Sequence, residues 1–397
     1  MRLPSSRPVC AAALVGLAAV VACSKDTTGP GPTVAAINIA AGSDTLAALG
    51  RTRQFSATAT DASGHPVTGV TIGWHSSNPA VATVDSATGV ATAVANGTVT
   101  ITALAQGKSA QVQLTVSQVV AGIVVTPGSG GLSALGATTQ FAATAKDSGN
   151  NTVAGVRFLW ISSNPAAATI DTTGLATARG PGQTTISASG RGIPGYATLT
   201  ITQTAAQLAF TVQPASAIAG EAVSPAVQVE IRDANGALVS GGRNAVTIAI
   251  ATNAGGGTLA GTKIVNAVGG VATFSGLSLD KTGTGYTLAA SATGLTGANS
   301  GAFNITAAAA AKLAFTVQPG LDTAGQPLAP VQVAVQDGFG NTVATATNTI
   351  HITLASGPAG ATLNSTTTVD AVAGVATFPA LVLTKADSGY RLGAGAA

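Results

Sequence analysis

The sequence predicts an all-β fold: four tandem antiparallel β-sandwich domains that follow an N-terminal export signal. Three observations predict it. Apolar residues alternate over short stretches, turn residues separate these stretches, and long segments recur at fixed spacings. The composition agrees, because 46% hydrophobic residues with a net charge of only +3 are typical of a folded chain.

The first 22 residues have the pattern of a secretory signal peptide. A basic start precedes the short apolar run VCAAALVGLAAVVA, which ends in small residues before Cys23. The string VVAC at 20–23 resembles the lipobox of bacterial lipoproteins, in which the cysteine is acylated and becomes the first mature residue. We expect residues 1–22 to be a lipoprotein signal peptide, and residues 23–33 to be the lipidated Cys23 with a flexible tether. The alternative is an ordinary signal peptide ending at a chance cysteine.

Cysteine and charge content exclude several classes of chemistry. Cys10 and Cys23 are the only cysteines, so the body has no thiol for a disulfide, a nucleophile or a zinc–thiolate site. Arg2 and Arg7 belong to the signal, and the remainder carries 15 basic against 14 acidic residues. Such a balance gives no electrostatic footprint for nucleic acid.

Internal repeats organise the chain after the tether. The decapeptide SSNPAVATVD at 76–85 returns 86 residues later as SSNPAAATID at 162–171. In a second pair, LAFTVQP at 208–214 returns at 313–319, and GVATF at 270–274 returns at 374–378. These spacings predict four domains, which we call repeats 1 to 4: residues 34–118, 119–205, 206–309 and 310–397.

All four repeats share a short motif: Asp, then Gly or Asn three residues later, then Val three residues after that. The motif begins at Asp61, Asp147, Asp233 and Asp337. It predicts a turn between two strands, because Asp accepts hydrogen bonds from nearby backbone N–H groups and Gly or Asn tolerates positive φ. Calcium binding is the alternative, although one carboxylate per turn is few for an ion that takes six to eight oxygen ligands.

Apolar alternation before the decapeptides predicts strands that end in a buried tryptophan. The residues concerned are Val70, Ile72 and Trp74 in repeat 1, and Val156, Phe158 and Trp160 in repeat 2. The five alanines at 307–311 are too few for a stable helix, so they predict a linker.

These motifs resemble a known family. Repeat 1 resembles the bacterial immunoglobulin-like domain of group 2 through Trp74, Ser76–Asp85, Gly89 and Asn96–Ala103. Repeat 2 does so through Trp160, Ser162–Asp171, Gly174 and Gly182–Ala188, with PGQTTISA in place of NGTVTITA. Repeats 3 and 4, with VQDGFGNTV and GVATF, are similar to other bacterial immunoglobulin-like modules of invasin-type surface proteins. The resemblance implies immunoglobulin-like sandwiches with an adhesion or spacer role.

The polar residues do not form a catalytic set. His65, His75 and His351 are the only histidines, and none has a counterpart in its sister repeat. No His, Asp or Glu cluster has metal-ligand spacing, and Gly255–Gly257 lacks the Lys-Ser/Thr of a phosphate-binding loop. An enzyme needs converging acid, base or nucleophilic groups. We therefore predict no enzymatic activity, no catalytic, metal or cofactor-binding residue, and no small-molecule substrate.

Aromatic residues for a carbohydrate platform are sparse. Tyr286 and Tyr390 occupy equivalent positions in repeats 3 and 4 and resemble a tyrosine corner, whose hydroxyl bonds the backbone. Tyr196 stands alone. GAFNI at 301–305 follows Tyr286, and we find no equivalent after Tyr390, so we expect repeat 4 to lack its last strand. The sequence is then a fragment of a longer protein, or a partner strand completes the sheet.

We therefore expect a non-catalytic, exported lipoprotein, anchored by Cys23 to the outer membrane, the cell surface or the periplasmic face. Ser24 after the cysteine implies outer-membrane sorting, by resemblance to such lipoproteins. The repeats would act as a stalk or an adhesion module that binds host, neighbouring-cell or polysaccharide ligands through its loops. The alternative is a carbohydrate-binding or spacer region of a longer surface protein or secreted enzyme.

Overall fold

The computed structural model describes residues 33–40 and 42–397. Across these residues the regular structure is entirely β-strand, with no helix. It follows that this part of the chain contains no helix long and apolar enough to span a membrane. The predicted signal peptide, Cys23 and nearly all of the tether lie outside the described residues.

Repeats 1 and 2 contain nine strands each. Those of repeat 1 are β1 (Ala36–Ile39), β2 (Asp44–Leu46), β3 (Thr52–Gln54), β4 (Ala57–Thr60), β5 (Gly73–Ser76), β6 (Ala82–Val84), β7 (Val90–Ala93), β8 (Gly97–Ala105) and β9 (Lys108–Val116). Those of repeat 2 are β10 (Gly122–Thr126), β11 (Ser129–Leu132), β12 (Thr138–Gln140), β13 (Ala142–Lys146), β14 (Leu159–Ser162), β15 (Ala168–Ile170), β16 (Leu175–Ala178), β17 (Gly182–Gly190) and β18 (Ile193–Ile201).

Repeats 3 and 4 differ in strand number. Repeat 3 has β19 (Gln207–Val212), β20 (Ala217–Ile218), β21 (Val227–Arg232), β22 (Ala245–Thr252), β23 (Leu259–Ala260), β24 (Ile264–Asn266), β25 (Val271–Phe274), β26 (Ser278–Leu279), β27 (Gly283–Ser291), β28 (Ala298–Asn299) and β29 (Phe303–Thr306). Repeat 4 has β30 (Lys312–Val317), β31 (Val331–Gln336), β32 (Thr349–Ser356), β33 (Leu363–Asn364), β34 (Thr368–Asp370), β35 (Val375–Phe378), β36 (Val382–Leu383) and β37 (Arg391–Ala396).

The sheets repeat with the sequence. Repeats 1 and 2 each have a four-stranded sheet, β2-β9-β8-β5 or β11-β18-β17-β14, and a three-stranded sheet, β3-β7-β6 or β12-β16-β15. Repeats 3 and 4 share the three-stranded order β19-β21-β25 and β30-β31-β35. Repeat 3 adds the longer sheet β20-β29-β27-β22-β24, and repeat 4 has β34-β32-β37 in its described residues. The predicted all-β class of tandem sandwiches is confirmed.

Each repeat has a hydrophobic cluster built from both of its sheets. In repeat 1 the cluster joins Ala91 of β7 with Ile101 of β8 and Leu114 of β9, all of which are fully buried. Repeats 2, 3 and 4 have equivalent clusters. By its contacts the chain divides into two compact units. The first runs to Gly122 and includes Ala145–Gly155, and the second comprises Ile123–Thr144 and Val156–Ala397.

The tryptophan strands differ from the prediction in two ways. They begin at Gly73 and Leu159, so the preceding alternating residues lie outside the strands. Trp74 is buried at 8% exposure, as predicted, but Trp160 is only half-buried, so that prediction is wrong. The inward-facing residues of β14 are less buried than those of β5, because none of the four β14 residues is fully buried.

The Asp turns and the alanine linker have the predicted conformations. In each turn the Gly or Asn has positive φ, between 64° at Asn150 and 84° at Gly64 and Gly236. Its N–H donates to the Asp carbonyl, as Gly236 does to Asp233 at 3.0 Å. Residues 307–311 form neither helix nor strand and connect β29 to β30.

Candidate functional site

The polar residues of the decapeptide bind their own turn. Ser76 Oγ, which is buried, donates to the Ala82 carbonyl at 2.6 Å, and Asn78 Oδ1 accepts the Ala80 N–H at 3.1 Å. In repeat 2, Ser162 Oγ donates to the Ala168 carbonyl at 2.7 Å. These bonds occupy the hydroxyl and amide groups in backbone contacts, which are structural.

The aspartates that end the two decapeptides close the next turn. Asp85 Oδ1 accepts hydrogen bonds from Thr88 Oγ1 and Thr88 N, both at 2.7 Å. The Thr88 hydroxyl and N–H, with the Ala87 N–H, hold the pKa of the Asp85 carboxyl below its usual range. Thr173 has the same effect on the pKa of Asp171. A carboxylate held in its charged form in this way is a poor proton carrier.

The histidines are dispersed. His75 is exposed on β5, His65 is exposed in the Asp61 turn, and His351 is partly buried on β32. Among residues 33–40 and 42–397, no group of three or more His, Cys, Asp or Glu side chains is placed to hold a metal ion.

The tyrosines of repeats 3 and 4 bond the backbone, as a tyrosine corner does. Tyr286 Oη donates to the Lys281 carbonyl at 3.0 Å, and Tyr390 Oη donates to the Lys385 carbonyl at 2.8 Å. Tyr286 is fully buried, with its ring centroid 6.0 Å from that of Phe303. Tyr390 instead lines an open cleft of about 370 Å³ together with Leu328 and Leu383. Both hydroxyls therefore have structural roles.

In the Asp turns the two carboxylate oxygens accept hydrogen bonds from different sets of donors. In Asp233, Oδ1 accepts the N–H groups of Asn235 and Ala237 at 3.0 and 2.9 Å, which shapes the turn. In Asp337, Oδ1 accepts those of Phe339 and Asn341 at 2.9 and 2.8 Å. The other oxygen, Oδ2, accepts N–H groups from outside the turn, and in Asp337 it also accepts the Asn341 side-chain N–H at 2.9 Å.

At the junction of repeats 2 and 3, Oδ2 of Asp233 binds repeat 2. It accepts the Leu135 N–H and the Gln203 side-chain N–H, each at 2.9 Å. Asn235 Nδ2 completes the junction by donating to the Leu135 carbonyl at 2.8 Å. Asp233 is fully buried there.

At the junction of repeats 3 and 4, Oδ2 of Asp337 accepts the Ala308 N–H of the linker at 3.0 Å. Asn341 of the same turn bonds repeat 3, where it donates to the Asp280 carbonyl at 2.8 Å and accepts the Thr282 N–H at 3.1 Å. Lys281 Nζ donates to the Phe339 carbonyl at 2.6 Å. The Asp turn thus joins repeat 4 to repeat 3 as it joins repeat 3 to repeat 2, but through different partner residues.

Within the first unit, Asp147 has the same arrangement. Its Oδ2 accepts the Leu49 N–H at 3.0 Å and the Gln118 side-chain N–H at 2.9 Å. Asp61 differs, since its Oδ1 accepts the N–H groups of Ser63 and His65, and its Oδ2 lies 3.8 Å from His65 Nδ1 with the side chain 41% exposed.

Hydrogen bonds keep the buried carboxylates ionised. Burial raises the pKa of Asp233, but the bonds from Leu135, Gln203 and the turn outweigh it, and the pKa lies below the usual range. The pKa values of Asp337 and Asp147 are lowered for the same reason, against the effect of burial. These oxygens are occupied by N–H donors, so the calcium alternative gains no support from them.

The Asp turns follow from the sequence pattern, whereas their partners in the neighbouring repeats were not predicted. A signal for them is present. Ala-Leu-Gly at 48–50 returns at 134–136, and Leu49 and Leu135 are the backbone donors to Asp147 and Asp233.

The outer face of the four-stranded sheet in repeat 2 is unusually apolar. Leu159, Ile161 and Tyr196 are 61%, 51% and 63% exposed. Ile161 pairs across the strands with Ser187, and Ser187 pairs with Tyr196. Ile161 and Tyr196 therefore lie on one row of the sheet, on either side of Ser187. The equivalent row of repeat 1 consists of His75, Thr102 and Gln111.

Each repeat has sheets packed around a hydrophobic cluster, and its Asp turn recurs in the other repeats. Together with the tyrosines that bond the backbone, these features define a series of immunoglobulin-like domains. The family model for the bacterial Ig-like domain (group 2) matches residues 34–116, and that for the intimin immunoglobulin-like domain matches residues 144–192. The chain therefore contains bacterial immunoglobulin-like domains in its first two repeats. The group 2 prediction is confirmed for repeat 1, repeat 2 matches the intimin-type model instead, and the assignment of repeats 3 and 4 stays a prediction.

Several solved structures resemble the chain distantly. FdeC, an Escherichia coli adhesin, is 18% identical with a TM-score of 0.33, over 68% of this chain and 96% of that one. Domains 1–6 of the surface layer protein SbsC are 16% identical with a TM-score of 0.26, over 89% of this chain and 49% of that one. The chain thus spans about half of that SbsC structure. No curated protein matches the chain. At these scores the likenesses carry no information on ligand or activity.

Proposed function

We propose that this protein is a non-catalytic, surface-displayed lipoprotein whose immunoglobulin-like repeats act as a stalk. The observation that supports the proposal is that the polar side chains of the repeated motifs form structural hydrogen bonds. The Ser, Asn, Asp and Tyr side chains of the repeated motifs bond their own backbone or the neighbouring repeat. Polar groups used in this way build a serial scaffold and, among the residues that the structure describes, leave these motifs no converging set for catalysis.

Anchoring through Cys23 is the second part of the proposal. Fatty-acid labelling of cells with an alkyne palmitate analogue tests it, with Cys10→Ala as the matched control inside the signal peptide. We expect label on the unmodified chain and on Cys10→Ala, and none on Cys23→Ala, because acylation needs the thiol. Label on Cys23→Ala, or its absence from the unmodified chain, would contradict the anchor. Protease accessibility on intact cells then reports the face of the membrane.

The domain boundaries remain part of this proposal. We place them at 118/119, 205/206 and 309/310, beside the linkers between strands β9 and β10, β18 and β19, and β29 and β30. Limited proteolysis with mass spectrometry is expected to cut near these linkers before it cuts within a repeat. Early cleavage inside a strand would move the boundary.

The apolar face of repeat 2 favours a second candidate, glycan binding. The exposed Tyr196 lies next to Ser187, with Ile161 one strand further along the same row, and this row combines a flat aromatic ring with a hydroxyl group. A glycan array is expected to give a signal that Tyr196→Ala abolishes and Tyr286→Phe retains, since Tyr286 is buried. A silent array, or a signal unchanged in Tyr196→Ala, removes the glycan candidate and leaves the stalk.

A further inference from the structure

The junctions of the second unit combine a short linker with a buried carboxylate. Five residues separate β18 from β19, and the five alanines at 307–311 separate β29 from β30. The alanine linker has no polar side chain of its own, so the polar side chains that fix its position come from the repeats. Asp337 supplies one of them, through its bond to the Ala308 N–H.

We propose that Asp233 and Asp337 are orientation clamps, in which Oδ2 fixes the angle between successive repeats. The atoms divide in the manner that such a role requires. Oδ1 bonds residues within four positions of the aspartate, whereas Oδ2 of Asp233 bonds Leu135, which lies 98 positions away in the chain. Oδ2 of Asp337 likewise bonds Ala308, 29 positions away, in addition to the Asn341 side chain of its own turn.

Burial strengthens the effect of each clamp. The carboxylate of Asp233 is fully buried and accepts four hydrogen bonds, two of them from repeat 2. Charged acceptors bind N–H groups more strongly than neutral ones do, and a buried donor left without a partner is costly. The junction therefore has one favoured arrangement, because any hinge motion separates Oδ2 from its donors.

Substitution by asparagine separates the two roles. In Asp233→Asn the side chain keeps one carbonyl oxygen for the turn, and its NH₂ group faces the Leu135 and Gln203 donors, which it cannot accept. Asp61→Asn is the matched control, because the same turn in repeat 1 has an exposed carboxylate with local N–H partners.

Double electron–electron resonance on the full chain tests the clamps. Spin labels carried by an unnatural amino acid replace the exposed strand residues Thr185, Thr273 and Thr377, one in each of repeats 2 to 4. We expect Asp233→Asn to widen the 185–273 distance distribution at least twofold and to leave the 273–377 distribution unchanged. Asp337→Asn should do the reverse, and Asp61→Asn should change neither.

An unchanged 185–273 width in Asp233→Asn overturns the proposal. If both distributions widen, the variant has lost more than its junction, and Gln203→Ala decides the matter. That variant removes one repeat 2 donor to Oδ2, together with the bond of the same side chain to the Leu238 carbonyl, and leaves every Asp233 turn bond in place. A wider 185–273 distribution in Gln203→Ala supports the clamp, and an unchanged width overturns it.

Discussion

Repeats 1 and 2 contain nearly the same decapeptide, yet they place its tryptophan neighbour differently. Trp74 is 8% exposed and packs near Phe55, with ring centroids 6.2 Å apart, whereas Trp160 is half-buried. The serine bonds that follow are the same in both repeats, at 2.6 and 2.7 Å. Local turn chemistry is thus copied with the sequence, while burial depends on residues elsewhere in the repeat.

The outer faces of the two repeats diverge further. His75 of repeat 1 corresponds to Ile161 of repeat 2, and Gln111 to Tyr196, so a polar row corresponds to an apolar one. The turns are therefore the same in both repeats, whereas the exposed surface of the four-stranded sheet differs. Binding specificity belongs to such a surface.

The largest expected difference between the repeats is at the tryptophans. We expect Trp74→Ala to destabilise repeat 1 by about 3–5 kcal/mol, because it removes a buried ring and leaves a cavity. Trp160→Ala should cost roughly half as much, since Trp160 is less completely buried than Trp74. Calorimetry of the chain would resolve the transitions, and each variant keeps one tryptophan as a fluorescent control for the other repeat. Equal losses would contradict the difference in burial.

The Asp turns offer the next largest contrast. Asp147→Asn should destabilise the first unit by about 2–4 kcal/mol, because the Leu49 and Gln118 donors lose a charged, buried acceptor. Asp61→Asn should have a much smaller effect, since its carboxylate is exposed. Chemical denaturation followed by tryptophan fluorescence measures both. The contrast fails if the two variants unfold at the same denaturant concentration.

A smaller difference is expected at the serines. Ser76→Ala should cost about 1–2 kcal/mol, because the buried Ala82 carbonyl loses its Oγ donor. Ser162→Ala should cost less, since Ser162 is only half-buried whereas Ser76 is buried, and Thr184 keeps hydrogen bonds to Ser163 Oγ and the Asn164 N–H. Thermal unfolding of the two variants ranks them, and a larger loss for Ser162→Ala would reverse the assignment.

The smallest expected effect is that of mild acid on the unfolding temperature. The pKa of Asp147 is lowered in the folded state, so its ionised form stabilises folding at pH values above the unfolded pKa of about 3.9. That contribution is lost as the pH falls through the lower folded pKa. The unfolding temperature should therefore change little from this group between pH 7 and pH 5 and fall below about pH 4. In Asp147→Asn the acid fall should be smaller, and an equal fall would rule out this carboxylate as its source.

Much of the fold was predictable because it depends on short-range chemistry. The Asp turns follow from Asp accepting nearby N–H groups and from positive φ at Gly64 and its equivalents. The long strand β8 shows the expected alternation of buried and exposed residues, whereas the alternating residues before Trp74 lie outside β5. The burial of Trp160 was not predictable, because it depends on how deeply the whole inner face of β14 is covered.

The junction contacts were harder to predict for a related reason. Oδ2 of Asp233 binds a backbone N–H 98 residues away, and a backbone donor leaves almost no mark in sequence. Only the repeated Ala-Leu-Gly loops and the glutamines at 118 and 203 hinted at the partners. Pairing them with the turns requires knowledge of which ends of the repeats meet.

The two halves of each junction have a consequence for how the array grows. Repeat 1 contributes the Leu49 donor at one end and repeat 2 contributes both the Asp147 acceptor and the next donor, Leu135. A duplication of one 86-residue segment therefore copies donor and acceptor together. Gene recombination would lengthen or shorten the series with each buried carboxylate matched to its donor, and Asp61 of repeat 1 needs no such donor because its side chain is 41% exposed.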